Sequence, residues 1–230
     1  MDESKVILLP GLDGTGRLFE PLLQVLPKTI NAQAISYPVD RLVPSDQLVQ
    51  LAIQQVPGHA PLVLIGESFS GAIALRWAVA EPHRVRAVLL CASFVRTPAP
   101  QWTRWGPSPW LFRLPMPGLM VKLLLLGWHP PECLVKQVTT AVRLVSPQVL
   151  ADRVRQIGAL DCVEALVRCP GPILYLQATN DALVREGSLR TILAARPDVV
   201  VRRVSGPHLL LQASPREAWH EIEQFVGTCP

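Results

Sequence analysis

Three side chains in this sequence have the types and positions from which a nucleophile can be built: Ser68, Asp181 and His208. A serine hydroxyl is a poor nucleophile until a base takes its proton during attack. A neutral imidazole does so when a carboxylate fixes its tautomer and stabilises the cation that forms. His208 is the one histidine of five that follows the last apolar run; His59, His83 and His129 fall in turns or an irregular segment, and His220 in a closing helix. Asp181, in Ala178-Thr179-Asn180-Asp181, is the best-placed acid. Singly, each has a plainer explanation: a helix-capping serine, a turn aspartate, a surface-loop histidine. Together they are set apart because each follows a predicted strand.

The serine sits in Leu62-Val63-Leu64-Ile65-Gly66-Glu67-Ser68-Phe69-Ser70-Gly71. This reads as an apolar strand, a one-residue pivot, and the start of a helix rich in small residues. It is the G-x-S-x-G elbow with one departure. Gly66 stands at −2, but Ser70 occupies +2, where glycine is usual, and Gly71 follows. The elbow must therefore tolerate a small side chain whose hydroxyl can reach the site.

Attack on a carbonyl leaves a negative oxygen that needs two preorganised donors. The backbone N–H of Phe69, opening the helix after the pivot, is one natural donor. The N–H of Leu12, in Pro10-Gly11-Leu12-Asp13-Gly14-Thr15-Gly16, is the other. The rival for that loop is a dinucleotide site, but its glycines run G-x-x-G-x-G rather than G-x-G-x-x-G.

The elements that must carry these residues alternate. Continuous apolar runs at 6–9, 62–66, 85–91 and 173–176 read as strands buried on both faces, with weaker strands at 32–37 and 199–204. Helices are expected over 18–26, 45–56, from the elbow to about 80, 186–195 and 214–226. The alternation predicts an α/β fold: a mainly parallel sheet of about six strands with helices on both faces. Ligands bind at the carboxyl ends of such strands. The pattern breaks between 97 and 166, where four of six tryptophans collect and helices over about 118–127, 132–144 and 147–166 are expected. This segment reads as a helical cap inserted between core segments 1–96 and 167–230.

Composition narrows the class. Charged residues are 17% of the chain and the mean hydropathy is +0.28, so much surface is buried or apolar. The net charge of +4 comes from scattered arginines, the pattern of a solvated surface rather than of nucleic-acid binding. Five cysteines with no C-x-x-C pair read as free thiols in a reducing compartment. The acidic Met1-Asp2-Glu3 start is unlike a signal peptide, and no run is long enough for a stable membrane span. A cytoplasmic enzyme needing no metal or cofactor is the expectation. Oligomeric state is not legible.

The glycine loop at 9–16, Gly66-Glu67-Ser68-Phe69-Ser70-Gly71, Thr179-Asn180-Asp181 and Gly206-Pro207-His208 resemble, in order, the motifs of the α/β-hydrolase superfamily of esterases, lipases and thioesterases. The loop is also similar to that of plastid acyl-ester-forming relatives. The resemblance implies Ser68 as nucleophile, Asp181 as acid, His208 as base, and Leu12 and Phe69 as oxyanion donors. It implies a small-molecule ester or thioester as substrate. The cap would then lie over Ser68, with Trp105, Trp110, Met116 and Met120 lining an acyl pocket. A core role for these residues is the competing explanation. Three further alternatives stay open: acyl transfer on the same residues, a non-catalytic module of the same fold, and a tryptophan-rich face with Arg113 and Lys122 resting on a membrane.

Overall fold

The structure is a computed structural model that describes residues 4–114 and 118–229. Among the described residues, six parallel strands form one sheet in the order β2-β1-β3-β4-β5-β6. They are β1 (Lys5–Leu9), β2 (Ala32–Ala34), β3 (Leu62–Glu67), β4 (Val85–Cys91), β5 (Ile173–Ala178) and β6 (Val200–Val204). The central strands read as unbroken apolar runs because both faces are covered. Ile7, Leu9, Leu64, Leu90 and Tyr175 point to one core cluster. Val6, Leu8, Ile65, Leu89 and Leu174 point to the other, the alternation of successive strand side chains.

The first cluster is closed by α2 (Ser45–Gln54), α3 (Ser70–Ala80) and α8 (Glu186–Ala195). The second is closed by α1 (Glu20–Val25), the short α9 (Leu210–Ala213) and α10 (Pro215–Gly227). Helices on both faces leave only the strand ends free for a site. The expected helix over 18–26 is a 3-10 turn, Arg17–Phe19, running into α1. α9 was not legible; it is a single turn packed under Leu210 and Leu211.

The irregular segment holds 3-10 turns at Gln101–Trp105 and Pro109–Arg113, then α4 (Gly118–Val121), a π-helical turn at Lys122–Leu126, α5 (Glu132–Arg143) and α6 (Pro147–Gly158). The helix expected over 147–166 is broken. After Gly158 the chain leaves the helix to bond the segment after β4: Cys162 N–H donates to Val95 O at 2.8 Å and Thr97 N–H to Leu160 O at 3.2 Å. Only α7 (Val163–Arg168) follows, and its Leu166 is buried in the sheet's own core. By packing, α7 belongs with the helices that cover the sheet.

Candidate active site

The elbow is where strand and helix approach most closely. A Cβ on Gly66 would stand 2.5 Å from Ser70 O, and one on Gly71 1.9 Å from Ser93 Oγ. Glycine is thus required at −2 and at +3. Position +2 needs none, because Ser70 points away from this contact.

Ser68 carries a positive φ of 52°, a conformation that costs a non-glycine residue roughly 1–3 kcal/mol. Its surroundings hold it there. Ser68 N–H donates to Cys91 O at 2.9 Å, and Ser68 O accepts from Gly71 N–H at 3.2 Å and from Ser93 Oγ at 2.6 Å. The strained backbone projects the hydroxyl clear of both elements.

The structure brings all three chemistry-bearing side chains together. Ser68 Oγ lies 2.9 Å from His208 Nε2, and His208 Nδ1 lies 2.8 Å from Asp181 Oδ2. An ionised carboxylate only accepts, so Nδ1 carries the proton and Nε2 accepts from the serine hydroxyl. Asp181 Oδ1 accepts from the N–H groups of Leu183 and Val184, both at 2.8 Å. The side chains of His208 and Asp181 are 4% and 3% exposed, so water barely competes for this chain of bonds. The loops after β5 and β6 are tied by Asn180 N–H donating to Gly206 O at 3.0 Å. The π-helical turn holds the residue after the histidine: Leu209 N–H donates to Leu125 O at 2.9 Å. Such an arrangement can pass a proton from a hydroxyl to an imidazole whose cation is already neutralised.

The loop after β1 lies against the elbow; a Cβ on Gly11 would stand 3.9 Å from Ser68 Cβ. Its peptide planes are fixed from several sides. Ser70 Oγ donates to Pro10 O and accepts from Tyr37 OH at 2.8 Å. The Ser70 hydroxyl is therefore committed to the loop and does not face the site. Gly14 N–H donates to Gly11 O at 3.1 Å, which orients the Leu12 N–H. Arg153, from α6, donates to Leu12 O, Asp13 O and Pro38 O, each at 2.8 Å, with its guanidinium 5.9 Å above the Tyr37 ring. It is 3% exposed. This arginine is no part of a solvated surface: it plugs the space beside Gly14 and ties the cap to the loop. Among the described residues, no protein group accepts from the N–H of Leu12 or of Phe69.

The proposed pocket residues lie elsewhere. Ser68 and His208 open on a cavity of about 680 Å³ walled by Phe94, Pro98, Val154, Ile157, Leu183 and Val184 among others. Trp105 and Trp110 are 83% and 58% exposed and do not line it. Met120 faces a separate groove with Leu111 and Leu114. Met116 lies outside the described residues. The amphipathic α5 buries an aliphatic stripe of Leu134, Val138 and Ala141 instead. The cavity wall comes from the loop after β4, from α6, and from the loop after Asp181 with the start of α8. Sequence reasoning missed these because no periodicity marks a wall assembled from three separate segments.

Glu67, next to the serine, is a second buried acid. It is 1% exposed; Oε2 accepts from Gln212 Nε2 at 3.1 Å, and Oε1 has no partner among the described residues. Burial raises its pKa to about 8, with smaller contributions from Asp13 and Asp181. Between about pH 4.5 and 8 the folded chain keeps a proton that the unfolded chain releases, so this group's contribution to stability is lost as pH rises through that window. Glu67→Gln is expected to melt progressively higher relative to the parent protein as pH goes from 5 to 8. A difference in Tm that stays constant across that range contradicts this account.

No helix among the described residues is long and apolar enough to cross a membrane. Comparison with known proteins agrees with the fold. Over 224 residues the chain is 25% identical to the polyketide synthase ThaQ of Burkholderia thailandensis, a match covering 88% of this chain but only 11% of that one. The chain thus spans about a tenth of that curated relative's length. A lipase-esterase related protein from Clostridium acetobutylicum superposes with a TM-score of 0.78 at 16% identity, covering 96% of this chain and 94% of that one. A structure from work on carboxylesterases of the Thaumarchaeon Nitrososphaera gargenis superposes with a TM-score of 0.79 at 13% identity, covering 98% and 90%. At such identities the likeness speaks to the fold. A model of the Alpha/beta hydrolase family matches residues 6–222, nearly the whole chain. The chain belongs to the alpha/beta hydrolase family.

Proposed function

We propose that this chain is a serine hydrolase that cleaves carboxylic esters or thioesters with an apolar acyl group through an acyl-Ser68 intermediate. The observation that carries the reading is the unbroken Asp181–His208–Ser68 hydrogen-bond chain, 2.8 and 2.9 Å long, opening on a largely apolar cavity. Ser68 attacks the substrate carbonyl as His208 takes its proton. His208 then returns that proton to the leaving group, and water repeats the sequence on the acyl-enzyme. The N–H groups of Leu12 and Phe69 stabilise the oxyanion. Hydrolysis of p-nitrophenyl esters and acyl thioesters of rising chain length, beside a Ser68→Ala control, tests this. Rates should rise from acetate towards medium chains; a flat or steeply falling series contradicts the apolar acyl group.

The loop clamp yields a further expectation. Losing one oxyanion donor costs about 100- to 1,000-fold, and a loop freed on one side should lose part of that. Arg153→Ala is expected to lower kcat about tenfold or more with little change in KM. Free guanidinium, which fits the vacated space between the Tyr37 ring and three carbonyls, should restore part of the loss. A variant that changes only KM, or gains nothing from guanidinium, rules out the clamp.

A further inference from the structure

We propose that the cavity at Ser68 ends in an anion-binding subsite formed by Arg185, Arg96 and Ser188. The substrate would then be an ester or thioester carrying a carboxylate or phosphate away from the scissile bond. This rests on the hydrolase reading above and narrows its substrate class.

The charged side chains that line the cavity are both arginines. Its lining includes Arg96 and Arg185 and no carboxylate side chain. Arg185 makes no ion pair among the described residues. The carboxylate beside it in sequence, Glu186, is engaged elsewhere: Oε2 accepts from Gln177 Nε2 at 2.7 Å, and Oε1 lies 3.7 Å from Arg203. Arg96 faces Asp161 at 2.9 Å, but those side chains are 60% and 56% exposed. An exposed pair of that kind is weak and is readily shared with an incoming anion.

Ser188 adds a hydroxyl to the same lining. It is only 9% exposed, it lines the cavity, and its hydroxyl has no hydrogen-bond partner among the described residues. That oxygen is not sealed from solvent, so it is free to donate to a ligand in the cavity. Arg185 and Ser188 flank the first turn of α8, a helix of ten residues. The positive end of that helix dipole faces the same space. At Gly187 an added Cβ would meet nothing within 4 Å, so an anionic oxygen can approach the backbone there. One cavity thus joins the apolar side chains of Val154, Ile157 and Leu183 to two guanidinium groups, a lining suited to an amphiphile. A guanidinium suits either a carboxylate or a phosphate, because its parallel N–H groups match both.

The test compares kcat/KM for matched substrates in the parent protein and in Arg185→Glu. The carboxylate arm sets mono-p-nitrophenyl adipate against p-nitrophenyl hexanoate. The phosphate arm sets butyryl-coenzyme A against the neutral N-acetylcysteamine thioester of butyrate. The ratio of anionic to neutral substrate is expected to fall about 30-fold in Arg185→Glu, mainly through KM, in at least one arm. Arg185→Lys should retain part of the preference. A fall in one arm alone identifies the anion, and a fall in both assigns a general anion site. An unchanged ratio in both arms, or an equal loss on charged and neutral substrates, overturns the subsite. If neutral esters are still cleaved in a Ser68-dependent way, that failure leaves the hydrolase reading standing. If no substrate is cleaved and Ser68 takes no label from a fluorophosphonate, the hydrolase reading fails first.

Discussion

His208→Ala is expected to lower kcat on a p-nitrophenyl ester by about a millionfold, with KM changed far less. The reason is the position of Nε2, 2.9 Å from the Ser68 hydroxyl. Among the described residues no other base hydrogen-bonds the Ser68 hydroxyl, and the neighbouring Glu67 holds its proton at neutral pH and bonds Gln212. Because the residues act as one unit, Ser68→Ala combined with His208→Ala should cost little more than either alone. Thermal melts of the variants verify that the fold is retained. A loss of only tenfold in His208→Ala would mean that another group takes the proton.

Asp181→Asn should cost about ten-thousandfold in kcat, through the tautomer rather than the fold. Oδ1 accepts two backbone N–H groups, from Leu183 and Val184. In the variant the amide oxygen must keep that place, since an NH2 group cannot face two donors. The NH2 then meets His208 Nδ1, which has to accept. The ring proton is forced onto Nε2, which turns an N–H towards Ser68 and can no longer take its proton. Single-turnover kinetics of acylation, with KM measured alongside, would show this. Near-normal kcat in Asp181→Asn would remove the aspartate from the proposed mechanism.

Much of the positioning machinery is legible in the residues because it is local. Strands such as Val6-Ile7-Leu8-Leu9 are continuous apolar runs, and Ser68, Asp181 and His208 each follow a strand within a few residues. What escaped is what depends on distant parts of the chain. Arg153 lies 141 positions from Leu12, and nothing in its neighbourhood distinguishes it from the surface arginines. Ser70 could be seen as a departure, but its commitment to Pro10 and Tyr37 rests on two other elements. The break after Gly158 was hidden because Leu160 and Cys162 continue an apolar pattern; long-range bonds to Val95 and Thr97 outweigh it. The exposed tryptophans mark the reverse error, a compositional signal read as a pocket wall. The sequence places Ser68, Asp181 and His208 by their order along the sheet edge, and segment 97–166 only by its composition.

The central claim is that Ser68 is an activated nucleophile, and covalent labelling tests it most directly. A fluorophosphonate probe should label the parent protein stoichiometrically, with the adduct mapped to the peptide holding Gly66-Glu67-Ser68. Labelling should vanish in Ser68→Ala and slow severely in His208→Ala. Label found on Ser70 or another residue, or labelling that persists in Ser68→Ala, would contradict the account.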